Sequence, residues 1–171
     1  VGVMTLRFSG TTSATLSYTV NGVGVTKQIQ RQVFSTQPAC SFTSASRAGA
    51  TNYQDLWWIP TESGWGINIT HQGNILFATL FVYNPGGRDT WYVASALNRQ
   101  ADGSYLGDLY QTTGPVFNAS PWGSVGLATV GSMRLRFSGG ESGLLTYNVG
   151  GTSVSKSIQR QVFATPPTVC Q

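Results

Sequence analysis

Met133, Leu135 and Phe137 alternate with Arg134, Arg136 and Ser138, one apolar and one wet face at the two-residue period of a β-strand. Leu145, Tyr147 and Val149 repeat the pattern. The same reading predicts strands over 56–59, 66–70, 75–83, 90–97, 104–112, 127–138, 144–149 and 154–163. Between them stand His71-Gln72-Gly73-Asn74, Asn84-Pro85-Gly86-Gly87, Ala101-Asp102-Gly103, the stretch 139–143 and Gly150-Gly151, residue types that accept the positive φ of tight hairpins. No segment carries a helical period. Eight successive strands joined by short hairpins make an antiparallel meander, and one that long is stable when it closes and leaves no edge. The expected fold is all-β: an eight-stranded up-and-down barrel, with a two-sheet β-sandwich as the alternative.

Two strands depart from simple alternation. Strand 75–83 is apolar on both faces, with Ile75, Phe77 and Phe81 on one and Leu76, Leu80 and Val82 on the other, so cover on both sides is expected. In 154–163 the apolar row of Val154, Ile158 and Val162 is interrupted by Lys156 and Arg160. Their stems are expected to cover the barrel end while the charges reach water or pair with Asp55, Asp108 or Glu62; a polar, ligand-facing interior is the alternative.

The chain also repeats itself. Segment 1–34 aligns without a gap onto 130–163, with about 21 of 34 positions identical. Each copy runs into a Pro-containing tail and one cysteine, STQPAC to Cys40 and ATPPTVC to Cys170. The expected organisation is 1–38 as the last three strands of a preceding repeat, 39–52 as a small polar linker, and 53–171 as a complete β module. An up-and-down barrel brings its ends together, so Cys40 is expected to pair with Cys170; a bond between modules or subunits is the alternative.

Composition narrows the function classes. Only 9% of residues are charged and 21 are Gly, against roughly 25% charged in ordinary soluble domains, a profile that suits extracellular β proteins with many turns. The ten Lys and Arg are scattered, with Arg7, Arg31, Arg134, Arg136 and Arg160 inside strand-like runs, which argues against nucleic acid as a partner. No run of about 18 apolar residues predicts a transmembrane helix. A membrane barrel would turn basic residues of the apolar rows toward lipid at about 2–4 kcal/mol each. Paired cysteines agree with a secreted or cell-surface location, and any export signal is expected upstream of this sequence.

The densest aromatic stretch is LWWIPTESGWGINITHQG, 56–73. Trp58, Trp65, Trp91 and Tyr92, with Trp57 and Trp122, could stack on sugar rings, and Asn68, Gln72 and Asp108 could supply hydrogen bonds. The competing reading is that these aromatics fill the barrel and close its ends. His71, expected as polar surface at a hairpin entry, has no second His or nearby Cys to complete a zinc site; no metal or cofactor is expected. A triad of His71 with Ser63 or Ser95 and Asp55 or Asp89 lacks a nucleophile elbow. Glu62 with Asp55, or Asp102 with Asp108, lacks the paired spacing of a glycosidase, and 84–89 offers too few carboxylates for tight calcium binding. Asn68-Ile-Thr and Asn118-Ala-Ser match the glycosylation acceptor pattern.

NYQDLWWIPTESGWGINITHQGNILFATLFVYNPGGRDTWYV (52–93), LYQTTGPVFN (109–118) and the IQRQVF and PPTVC ending resemble tandem β-rich repeat modules of secreted and surface proteins of Gram-negative bacteria. The resemblance implies extracellular location and repetition, and brings no catalytic residue. The expectation is a non-enzymatic repeat module acting in structural association, through head-to-tail strand exchange into a filament or array. Partners would be other copies or neighbouring repeats. The alternative is a barrel binding a glycan or small apolar ligand.

Overall fold

The computed structural model describes residues 1–171. Thirteen strands and no helix form: β1 (Met4–Phe8), β2 (Ser13–Val20), β3 (Val23–Gln30), β4 (Cys40–Phe42), β5 (Asp55–Trp58), β6 (Gly66–Gln72), β7 (Ile75–Tyr83), β8 (Asp89–Arg99), β9 (Tyr105–Thr113), β10 (Gly126–Phe137), β11 (Ser142–Val149), β12 (Thr152–Arg160) and β13 (Thr168–Cys170). They fall into two compact units, Val1–Phe34 with Thr113–Gly126, and Ser35–Thr112 with Leu127–Gln171.

The larger unit is a closed antiparallel barrel of eight strands, β5 to β12 in chain order, with β12 returning to pair with β5. Alternation sends Trp57, Ile67, Ile69, Leu76, Leu80, Leu97, Leu109, Met133, Leu135, Leu145 and Ile158 into one buried cluster. Eight strands leave an interior that such side chains just fill. β8 carries an extra residue: Leu76 faces Leu97 while Ala78 faces Ala94, and this bulge keeps both Ala94 and Leu97 inside. Gly107 of β9 lies so close to the Ala96 carbonyl that a Cβ would strike it. Both faces of β7 are apolar, but only the inner one is sealed: Phe81 and Tyr83 are exposed on the outer wall.

One end of the barrel is plugged. Tyr53 stacks on Phe137 at 3.8 Å and on His71 at 5.6 Å, with Tyr105 edge-on to both Tyr53 and His71. His71 is the last residue but one of β6 and is buried, not the exposed turn residue expected, because its side chain points into this stack. Its Nδ1 accepts the Tyr53 N–H at 3.0 Å, so Nε2 carries the proton and donates to the Gly73 carbonyl at 3.0 Å. Burial lowers the histidine below its ordinary range, against the opposing Gly73 bond.

Two buried arginines, Arg47 and Arg160, anchor a charge network in the same unit. The Arg160 guanidinium donates to the carbonyls of Gly140 (2.7 Å), Gln54 (3.0 Å) and Asn52 (3.0 Å), and lies 4.9 Å over the Trp57 ring. Its pairing with Asp55 at 3.4 Å is shared by Arg47, which also binds Glu141. Arg47 belongs to 39–52, the stretch expected as a linker; here that stretch also contains β4, which pairs with β13. Cys40 and Cys170 face each other in that ribbon and form a disulfide. The final barrel strand stops at Arg160, short of the expected Phe163.

The smaller unit contains a three-stranded sheet in the order β1-β2-β3. Its registers reproduce those of β10-β11-β12: Met4 faces Tyr18 as Met133 faces Tyr147, and Ser13 faces Gln30 as Ser142 faces Gln159. Gly2 and Gly131 sit at equivalent points, each pressed against a neighbouring strand's carbonyl (Thr19 and Asn148) where a Cβ would collide. The two copies therefore share local structure as well as sequence.

Candidate functional site

The candidate binding residues are divided by the barrel wall. Trp65 and Tyr92 pack against the core. Trp91 and Phe81 are a cross-strand pair on the outside, both about half exposed, with Gly66 on Phe81's other flank. Trp58 is half-buried in the strand position beside inward Trp57, and Asn68 is exposed on β6. Asp108 is exposed on β9, where it accepts a hydrogen bond from the Tyr110 hydroxyl. These residues do not converge on one pocket.

At the end of the barrel opposite His71, Trp65 donates its indole N–H to Glu62 at 2.9 Å, and Glu62 also holds Lys156. Lys156 lies 5.0 Å over the Trp65 ring. Bonding to Lys156 lowers the Glu62 carboxyl, and burial raises the neighbouring Tyr147 hydroxyl. Lys156 and Arg160 thus point along the inner row, and each meets one of the acidic partners expected, Glu62 and Asp55. The arrangement neutralises charge at the barrel ends and pairs no nucleophile with a base.

The sharpest feature is a contrast between the two copies. Met133, Leu135, Leu145 and Ile158 are 0, 0, 0 and 2% exposed inside the barrel. Their counterparts Met4, Leu6 and Ile29 are 67, 46 and 37% exposed and Leu16 is half-buried, and Phe8 is 76% exposed where Phe137 packs on the core. The face of β1-β2-β3 that corresponds to the barrel interior is thus largely open. Both β1 and β3 are edge strands of their sheet.

Part of that face is strapped. The loop Thr113–Gly126 brings Phe117 to Tyr18 (centroids 6.1 Å apart), and the Tyr18 hydroxyl donates to the Phe117 carbonyl at 3.2 Å. Lys27 lies 4.1 Å over Trp122. Tyr18 and Lys27 are the counterparts of Tyr147 and Lys156, so Trp122 does for Lys27 what Trp65 does for Lys156. At the other end of the sheet, Phe8, Ala14, Ile29 and Arg31 border a concavity of about 230 Å³.

Sequence reasoning located Trp122 only as a stacking candidate and did not single out Arg47, Asn52, Tyr53 or Glu141. Arg47 sits among Ser, Ala and Gly with no period to mark it. The repeat did carry a signal for the concavity, since Phe8, Ile29 and Arg31 recur as Phe137, Ile158 and Arg160. No helix is long and apolar enough to cross a membrane. No protein-family model, curated protein or solved structure matches the chain.

Proposed function

We propose that this chain is a non-enzymatic, extracellular repeat module whose work is structural association. In this reading β1-β2-β3 completes a barrel with the five-strand half, β5 to β9, of another copy, and head-to-tail repetition builds a filament or array. The observation that carries it is the burial contrast: one set of residues closes a barrel at 130–163 and stands open at 1–34. An open apolar sheet with two free edges is a template for pairing, and exchanging near-identical elements costs little. The disulfide supports an oxidising compartment. Light scattering and electron microscopy of the purified chain test the reading. Mass that rises with concentration, ending in linear particles, is expected; a strict monomer at every concentration would refute it.

A second reading, a carbohydrate-binding module, is favoured by one observation: Trp91 and Phe81 lie side by side and half exposed on the outer wall, where flat rings suit the C–H faces of sugars.

A further inference from the structure

In the complete barrel, β12 pairs with β5 so that Arg160 faces Trp57 and Gln159 faces Trp58. Trp57 is buried, with its ring 4.9 Å from Phe137 and under the Arg160 guanidinium. Arg160 is aimed by its Nε bond to the Gly140 carbonyl. At the equivalent place in the smaller unit, Arg31 Nε donates to the Thr11 carbonyl at 3.1 Å, so this arginine is held in the same way. Beside it, the concavity of about 230 Å³ is bordered by Phe8, Ala14, Ile29 and Arg31 with the polar residues of 11–13 and Gln30; Phe8 and Arg31 match Phe137 and Arg160, which lie against Trp57, and Ile29 matches Ile158 of the same core cluster.

Resting on the association reading, we propose that this concavity is a tryptophan socket. Its occupant is the β5 segment of a second copy, with Trp57 seated between Phe8 and Ile29 under the Arg31 guanidinium. The free β3 edge takes the segment antiparallel, with Arg31 facing Trp57 and Gln30 facing Trp58. Main-chain pairing supplies affinity, and the indole and guanidinium fix the register. The Asn52 and Gln54 carbonyls and the Asp55 carboxylate, which hold Arg160 in the complete barrel, become the partners of Arg31. One difference between the copies has to be absorbed: Ala14 stands where the barrel has Gly143, and a Cβ at Gly143 would lie 2.9 Å from the edge of the Phe137 ring. Phe8 is exposed, so its ring has space to turn aside.

Cysteine trapping in the full chain tests the register. Gln30→Cys and Trp58→Cys variants, each keeping the native disulfide, are mixed in denaturant, refolded together and oxidised, with light scattering on the same samples. A disulfide-linked heterodimer is expected, formed at least tenfold more than from Gln28→Cys mixed with Trp58→Cys, which is two residues out of register. Assembly without trapping at Gln30, or with equal trapping at Gln28, would overturn the socket while leaving association standing. Absence of any assembly would overturn both.

Discussion

Leu6 and Leu135 are the same residue in two copies of one sheet, so truncating each to alanine is a controlled pair of perturbations. Leu135 is fully buried opposite Leu145; its loss removes the transfer energy of the side chain and leaves a cavity, about 2–5 kcal/mol in all. Leu6 is 46% exposed, so about half of the roughly 1.5–3 kcal/mol of full burial is realised, or about 1 kcal/mol, in a sheet open enough to relax. Denaturant unfolding followed by tryptophan fluorescence should give these values, the larger for Leu135→Ala. Association should respond with opposite signs. Leu135→Ala loosens the hold of 130–163 on its own five-strand half and should promote exchange. Leu6→Ala weakens the incoming sheet by what a buried leucine is worth, about 2 kcal/mol or more, some thirtyfold or more in dissociation constant. Sedimentation at several concentrations reads both. If the two variants shift association in the same direction, or Leu6→Ala leaves it unchanged, the two sheets do not compete for one partner and the exchange argument fails.

Further outcomes follow from other parts of the molecule. Trp122→Ala removes the strap's contact with Lys27 and should strengthen association several-fold without lowering barrel stability; weaker association would mean that the strap builds the interface. The Cys40–Cys170 bond spans 130 residues, so its reduction should cost up to about 5 kcal/mol in the chain-entropy model, read as a lowered unfolding midpoint. His71 has a lowered pKa because it is buried, so the unfolded chain binds its proton first as pH falls. Stability should decline as pH drops through and below the ordinary histidine value near 6.5, and His71→Phe should flatten that decline in pH-dependent melts. For the second reading, Trp91→Ala should abolish any glycan-dependent fluorescence change while leaving the melting temperature within a few degrees; an unchanged response would remove Trp91 from the binding surface.

The barrel was legible because its strands alternate cleanly and its turns carry Gly, Asn and Asp where positive φ is needed: Gly73, Gly87, Gly103, Gly150 and Gly151 all adopt it. The pairing of Cys40 with Cys170 followed from closure. The plugged end was much harder to see. His71 reads as a turn residue because Gln-Gly-Asn follows it, yet the hairpin turns only at Gly73 and leaves His71 on the inner face of β6. Arg47 lies in an aperiodic stretch and finds Asp55 and Glu141 only after the chain has folded over the barrel end. The aromatic candidates divide because successive strand residues face opposite sides of the wall. Trp57 and Trp58 are neighbours in sequence and therefore point to opposite sides of the wall, and Tyr92 and Trp91 separate for the same reason.

The two copies also divide the causes of their structure. Strand register, the close glycine approach and the arginine-to-carbonyl bond occur in both, so they are encoded within the sheet and its hairpins. Full burial of the Met, Leu and Ile positions occurs in only one, so it is conferred by β5 to β9. An element that is already shaped but not yet covered has little ordering entropy left to lose on docking, which favours association. Its competitor is tethered, however: segment 130–163 is joined to its own five-strand half through Thr113–Gly126, and a short tether acts as an effective concentration in the mM range. With equal contacts on both sides, that tether decides the equilibrium. Free chains should exchange slowly and chiefly at high concentration, whereas copies held next to one another, in tandem or on a surface, meet the same effective concentration and should associate readily. The proposed function therefore depends on repetition itself, which supplies both the matching sheet and the proximity that lets it compete.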